Sequence, residues 1–75
     1  MPKFPVISGK KLLKILKRHG FYAVRQKGSH VFVENKAQTL QTVIPLHGNE
    51  DLGKGILNAI LDDLELSIED LLKMP

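Results

Sequence analysis

Residues 21–34 read FYAVRQKGSHVFVE, and the reading of this stretch decides the fold. Phe21 to Gln26 runs aromatic, aromatic, small, β-branched, the composition of a strand. Lys27-Gly28 is a turn signal, and Ser29 to Glu34 is a second strand. Successive strand side chains point to opposite faces, so Val31 and Val33 share one face and His30, Phe32 and Glu34 the other. Two such runs joined by a short glycine turn predict an antiparallel hairpin. With the valines toward a core, His30 faces the open side.

The flanking sequence supplies what covers the valines. Asn35 to Thr39 is a polar connection, and Leu40 to Ile44 is a third strand stopped by Pro45. Upstream, residues 1–7 hold two prolines and predict an extended lead-in. Ser8 can cap a helix, because its hydroxyl accepts from a helix N–H that has no other partner. From Gly9 to His19, Leu12, Ile15, Leu16 and His19 follow the spacing of one helical face. Gly20 supplies the left-handed residue that ends it. Downstream, His47 to Asp51 is a polar loop. A second helix is expected over residues 53–64, with Ile56, Leu57, Ile60, Leu61 and Leu64 on its apolar face. Ser67, with Asp70 three residues on, opens a short third helix in a near capping box. The order is α-β-β-β-α with a short extra helix. The fold class is α+β: a three-stranded antiparallel sheet with helices on one face and the other partly open.

Composition narrows the class. With 75 residues the chain is expected to be a single domain, residues 1–75, and 43% hydrophobic residues suffice for one core. No cysteine is present, which excludes a disulfide framework, a thiolate metal site and a thiol nucleophile. No apolar run approaches the ~20 residues of a membrane helix, and the N-terminus lacks a signal-peptide core. The expected location is the cytoplasm, with no membrane partner. Charge is divided along the chain. Residues 1–36 carry nine Lys or Arg against Glu34, a net of +8, and residues 37–75 carry Lys54 and Lys73 against seven acids, a net of −5. That asymmetry points to an anionic partner for the first half, or simply to solubility of a Lys-rich helix.

Few residues can carry chemistry. His19 closes the first helix, where a protonated imidazole favours the dipole. His47 follows Pro45-Leu46 and is open to three readings: a loop residue, a phosphate contact or a second catalytic group. His30 reads either as a structural strand residue or as a catalyst. Imidazole titrates near neutrality, so it can take a proton from a ribose 2′-hydroxyl or give one to a leaving 5′-oxygen. Arg25 and Lys27 are cations close enough in sequence to hold the phosphate. Lys54 stands between Gly53 and Gly55 where a helix N-terminus favours phosphate, or where the helix simply has a flexible entry. The glycine spacing is not that of a nucleotide-binding loop. His30, His47, Glu50 and Asp51 have no ligand spacing on one element, so no metal site is expected. No G-x-S-x-G turn supports a serine nucleophile.

Assembled, these segments resemble the HicA (YcfA-like) family, the toxins of HicA–HicB toxin–antitoxin pairs. The resemblance is carried by Ser8-Gly9-Lys10, Gly20-Phe21, Arg25-Gln26-Lys27-Gly28-Ser29-His30, Val43-Ile44-Pro45-Leu46-His47, Leu52-Gly53-Lys54-Gly55 with Ile56, Leu57, Ile60 and Leu61, and Ser67. It covers nearly the whole chain in order. The resemblance implies a fold like the double-stranded RNA-binding domain. It implies a metal-independent mRNA endoribonuclease, without cofactor, whose catalytic residue is the histidine of G-S-H, here His30. RNA or phosphate contacts are expected at Lys10, Arg25, Lys27, Ser29, His47 and Lys54. The implied partners are mRNA and a HicB-type antitoxin, through which DNA is reached indirectly. One departure stands out. Family members often carry Lys or Arg along the second helix, whereas this chain has Asn58-Ala59 and Asp62-Asp63, acids that would repel phosphate. Two other functions fit the same residues: a non-catalytic double-stranded RNA-binding module, and a protein-interaction domain.

Overall fold

The computed structural model describes residues 4–74. The part of the expected lead-in that falls on residues 1–3 lies outside the described residues. Residues 4–7 form neither helix nor strand. The elements follow in the order α1 (Gly9–Lys17), β1 (Phe21–Lys27), β2 (His30–Asn35), β3 (Gln41–Pro45), α2 (Lys54–Asp63) and α3 (Ile68–Lys73). The sheet is antiparallel with strand order β1-β2-β3. This is the α-β-β-β-α layout with an additional C-terminal helix.

Ser8 caps α1 as its sequence suggests, its Oγ accepting from the Lys11 N–H at 3.2 Å. Leu12 and Leu16 are fully buried, and Lys14 and Lys17 in the last turn oppose the negative end of the helix dipole. The helix ends at Lys17 rather than His19. The amides of Arg18 and His19 bond to the carbonyls of Ile15 and Leu16 at 3.0 Å, tightening the last turn to i→i−3 spacing. His19 is therefore exposed beyond the cap, and Gly20, at φ +88°, lies one residue farther out than a C′ position.

The first hairpin turn is Gly28–Ser29, one residue later than expected, and Lys27 pairs with His30 across it. Gly28 has φ +59° while Ser29 stays on the negative side. A positive φ at the first of two turn residues is the II′ pattern, which suits strand twist and favours glycine there. The second connection is built on Asn35. Its Oδ1 accepts from the amides of Thr39 and Leu40, and its Nδ2 donates to Thr39 Oγ1, all within 2.9–3.0 Å. Pro45 is the last residue of β3 and not one beyond it, an outer-strand position where a missing N–H is tolerated.

One sheet face carries Val31, Val33, Thr42 and Ile44, all buried, and α1 and α2 cover it. Leu57, Ile60, Leu61 and Leu64 complete the core from α2. Ile56 departs from the expected apolar face and is 49% exposed. Leu57, Ile60, Leu61 and Leu64 already fill the stripe that one α2 face offers the sheet. The next residue round the helix falls at its margin.

α2 ends in a Schellman motif. Leu66 N–H donates to Leu61 O at 2.8 Å and Glu65 N–H to Asp62 O at 3.1 Å, with Glu65 at φ +57°. α3 has a complete capping box: Ser67 Oγ accepts from Asp70 N–H at 3.0 Å and Asp70 Oδ2 from Ser67 N–H at 2.8 Å. The backbone and side-chain bonds from Ser67 hold the Asp70 carboxyl below its usual 3.8, with Lys73 adding to the effect. A depressed carboxyl stabilises the fold above its unfolded-state pKa and ceases to as the pH falls through the lower folded value. Acidification below the ordinary aspartate range is thus expected to fray α3 before the sheet. Amide exchange followed against pH should show Asp70 and Leu71 losing protection ahead of Val31 and Val33.

Gly9 explains how α1 meets the sheet. A Cβ built there would strike the Pro45 carbonyl oxygen and lie 3.1 Å from Leu46 Cδ2 and 3.3 Å from Ile44 Cγ2. Backbone cannot yield as a flexible side chain can. Gly9→Ala is expected to cost about 1–3 kcal/mol, as overpacking does. Denaturant titration should show the midpoint falling with an unchanged slope.

Candidate functional site

The site is made by an irregularity in β1. Ala23 pairs with Val33 and Arg25 with Phe32, so Val24 is an extra residue, a β-bulge. Strict alternation from Phe21 and Ala23, which face the core side, would send Arg25 and Lys27 the same way. The bulge moves both to the other face. Arg25 then stands opposite Phe32, and Lys27 opposite His30. Pro45 flanks His30 from β3, and Val43 flanks Phe32. The open face therefore gathers an imidazole, two cations and an apolar floor.

His30 is exposed, and a shallow recess of about 530 Å³ opens beside it. Lys27, Gly28, Ser29, His30, Phe32 and Val43 line this recess. The Arg25 guanidinium lies over the Phe32 ring, 4.3 Å from its centroid. Such stacking fixes the plane of the fork while its edge N–H groups stay free to bind oxygen. Lys27 lines the recess itself, and Arg25 borders it through its stack on Phe32. A hydroxyl presented to His30 would be within reach of an acid–base group.

The remaining residues expected at the site form a second group. Ser8, the cap of α1, bridges to Asp51 just before Gly53, the cap of α2. The Leu52 N–H donates to Ile7 O at 2.8 Å. The starts of the two helices are thereby brought near each other, with Lys10 and Lys54 on them. Lys54 Nζ lies 5.4 Å from the centroid of the Phe4 ring, so this cation is engaged with the lead-in. His47 is exposed in the connection after β3, where its carbonyl accepts from Glu50 N–H at 3.0 Å. It does not line the His30 recess. The two groups are joined at one point: Leu46 N–H donates to Ser29 O, beside His30. The structure thus brings Arg25, Lys27, Ser29 and His30 together and sets Lys10, His47 and Lys54 apart from them.

Sequence reasoning did not single out Phe32 and Val43 as walls of the recess, although Phe32 shares the period-2 face of His30. It also missed the bond from Thr42 Oγ1 to Asp63 Oδ2, 2.9 Å long, which ties β3 to the end of α2 across 21 positions. Among the described residues no group of three or more His, Cys, Asp or Glu is placed to hold a metal ion. No described helix is long and apolar enough to cross a membrane.

A family model described as the HicA toxin of bacterial toxin–antitoxin matches residues 9–66, which run from the start of α1 to just past α2. No curated protein and no solved structure matches the chain.

Proposed function

The chain belongs to the HicA toxin family of bacterial toxin–antitoxin systems, and from that membership we propose that it is a metal-independent endoribonuclease acting on mRNA with His30 as its catalytic residue. The observation that carries the reading is the bulge at Val24, which puts Arg25 and Lys27 on the face of His30. A histidine alone on a strand has many uses. A histidine on an open face, with two cations on the strand beside it, has the parts of a phosphodiester-cleaving site.

In this mechanism His30 takes the proton of a ribose 2′-hydroxyl. The 2′-oxygen forms a bond to the adjacent phosphorus, and the bond from phosphorus to the 5′-oxygen breaks. The leaving oxygen takes a proton from water and His30 returns its own to solvent, so the products are a 2′,3′-cyclic phosphate and a 5′-hydroxyl. Arg25 and Lys27 oppose the charge that builds on the phosphoryl oxygens, where fixed donors act most strongly. Ser29 lies at the turn beside the same recess and can donate a further hydrogen bond. Lys10, Lys54 and His47, set apart from this group, would offer separate phosphate contacts farther along a bound strand. A HicB-type antitoxin would cover this face and link the toxin to DNA.

The test is cleavage of an end-labelled single-stranded RNA by the purified chain in EDTA, beside the His30→Ala variant. Cleavage by the first alone, leaving a cyclic or 3′-phosphate, supports the proposal. A 5′-phosphate end, or equal cleavage by both, overturns it. RNA bound but not cut by either would favour a binding module.

A further inference from the structure

The turn that carries His30 is held by two bonds beyond those of the hairpin. Gln26 Nε2 donates to the Gly28 carbonyl oxygen at 3.0 Å, and the Ser29 carbonyl oxygen accepts from Leu46 N–H, just past β3. The hairpin itself is closed by the pairing of Lys27 with His30. The Gln26 bond selects between the two ways in which the Gly28–Ser29 peptide can lie. That peptide is the middle one of a two-residue turn, and rotating it by about 180° exchanges the II′ form for the I′ form.

The direction of this peptide follows from the face that each residue occupies. Gln26 stands opposite Val31 and so lies on the core side of the sheet, whereas Lys27 and His30 lie on the open side. The Gly28 carbonyl, bonded to Gln26, is therefore drawn toward the core side. In a planar trans peptide the C=O and the following N–H point in opposite directions. The Ser29 N–H is thus turned to the open side, toward the recess that Lys27, Gly28, Ser29 and His30 border. Ser29 is half-buried, and among the described residues its N–H has no hydrogen-bond partner. A backbone donor that is fixed, free and next to an acid–base group has the geometry of an oxyanion hole.

We propose that the Ser29 backbone N–H donates to a non-bridging oxygen of the scissile phosphate, and that Gln26 is the positioning residue that aims it. The inference rests on the ribonuclease reading of this recess. The amide keeps its proton throughout. It opposes the charge that grows on that oxygen as the 2′-oxygen bonds to phosphorus. Lys27 and Arg25 act from long side chains whose freedom must be lost on binding, whereas the Ser29 amide is already set by the chain.

The experiment separates the amide from the side chain of the same residue. Ser29→Ala keeps the N–H and removes the hydroxyl. Ser29→Pro removes the N–H, and proline suits the second turn position because Ser29 already has a negative φ. Ser29→Pro should lower kcat on a single-stranded RNA by about 10²–10³-fold, the effect of one such donor, and by roughly tenfold or more beyond Ser29→Ala. Gln26→Leu should lower kcat by about two- to tenfold, the equilibrium effect of one hydrogen bond, with KM and the thermal midpoint unchanged. Gln26→Lys restores a donor of similar reach and should recover the rate. Equal losses in Ser29→Pro and Ser29→Ala, or a wild-type kcat in Gln26→Leu, overturn the proposal. Amide spectra of the nitrogen-labelled chain give a readout that needs no cleavage and no proline variant. An oligodeoxynucleotide, which lacks the 2′-hydroxyl, should move the Ser29 amide proton downfield in the wild type and less so in Gln26→Leu. If no RNA is cut, the ribonuclease reading fails separately and these spectra decide: that pattern supports the donor, and an unmoved Ser29 signal overturns it.

Discussion

Replacing His30 by alanine is expected to lower RNA cleavage by about 10²–10⁴-fold, the usual contribution of one positioned acid–base group. Stability should change little. The His30 side chain is exposed, and the strand pairs with Lys27 and Pro45 through its backbone. RNA affinity should also hold, because Arg25 and Lys27 remain. The informative result is therefore a split: rate lost, binding and melting kept. A matching fall in all three would mean that the substitution unfolds the hairpin end and says nothing of chemistry. Single-turnover cleavage, filter binding and a thermal melt on one preparation distinguish the cases.

The second large effect is expected at Arg25. Fixed donors aimed at a charge that grows in the transition state are each worth about 10²–10³ in rate. Arg25→Ala removes such a donor and uncovers the Phe32 ring. Arg25→Lys keeps the charge, but it loses the planar fork and its stacking over Phe32, so it should recover binding more than rate. Lys27→Ala offers the contrast. A point charge at a phosphate mainly supplies affinity, and its loss should reduce the slope of log affinity against log salt by about 0.7 for a single strand. Rates and affinities measured over a salt series would separate the two. Arg25→Ala and Lys27→Ala with the same profile would sink the distinction between fork and point charge.

The sequence carries much of this architecture where local chemistry decides it. Ser8 and Ser67 cap helices because of what a hydroxyl does to the N–H groups beside it. Val31 and Val33 face the core, and His30 does not, because alternation admits one solution. Non-local facts are less legible. Nothing in Ala23-Val24 marks a bulge, since small and β-branched residues suit either a regular or an irregular strand. The facing of Arg25 and Lys27 depends on that one extra residue. Ile56 matches the helical spacing of the core face, and it falls at the margin of a stripe that Leu57, Ile60, Leu61 and Leu64 already fill. The Thr42–Asp63 bond links residues whose proximity exists only once α2 lies on β3. Half the site, His30 with its turn, is thus written locally. The other half follows from pairing.

The bulge also bears on how the molecule behaves in company. β1 is an outer strand, exposing Tyr22 and Val24 at 48% and 53%, and among the described residues no further strand pairs with its free edge. A straight strand of this kind is a template on which another chain can add, the first step toward aggregation. An extra residue near the middle of β1 breaks the register that an incoming strand would need, and the positive charges on its last residues repel a copy of itself. One inserted residue therefore has two consequences: it sets which face Arg25 and Lys27 occupy, and it makes the β1 edge a poorer template for a second strand.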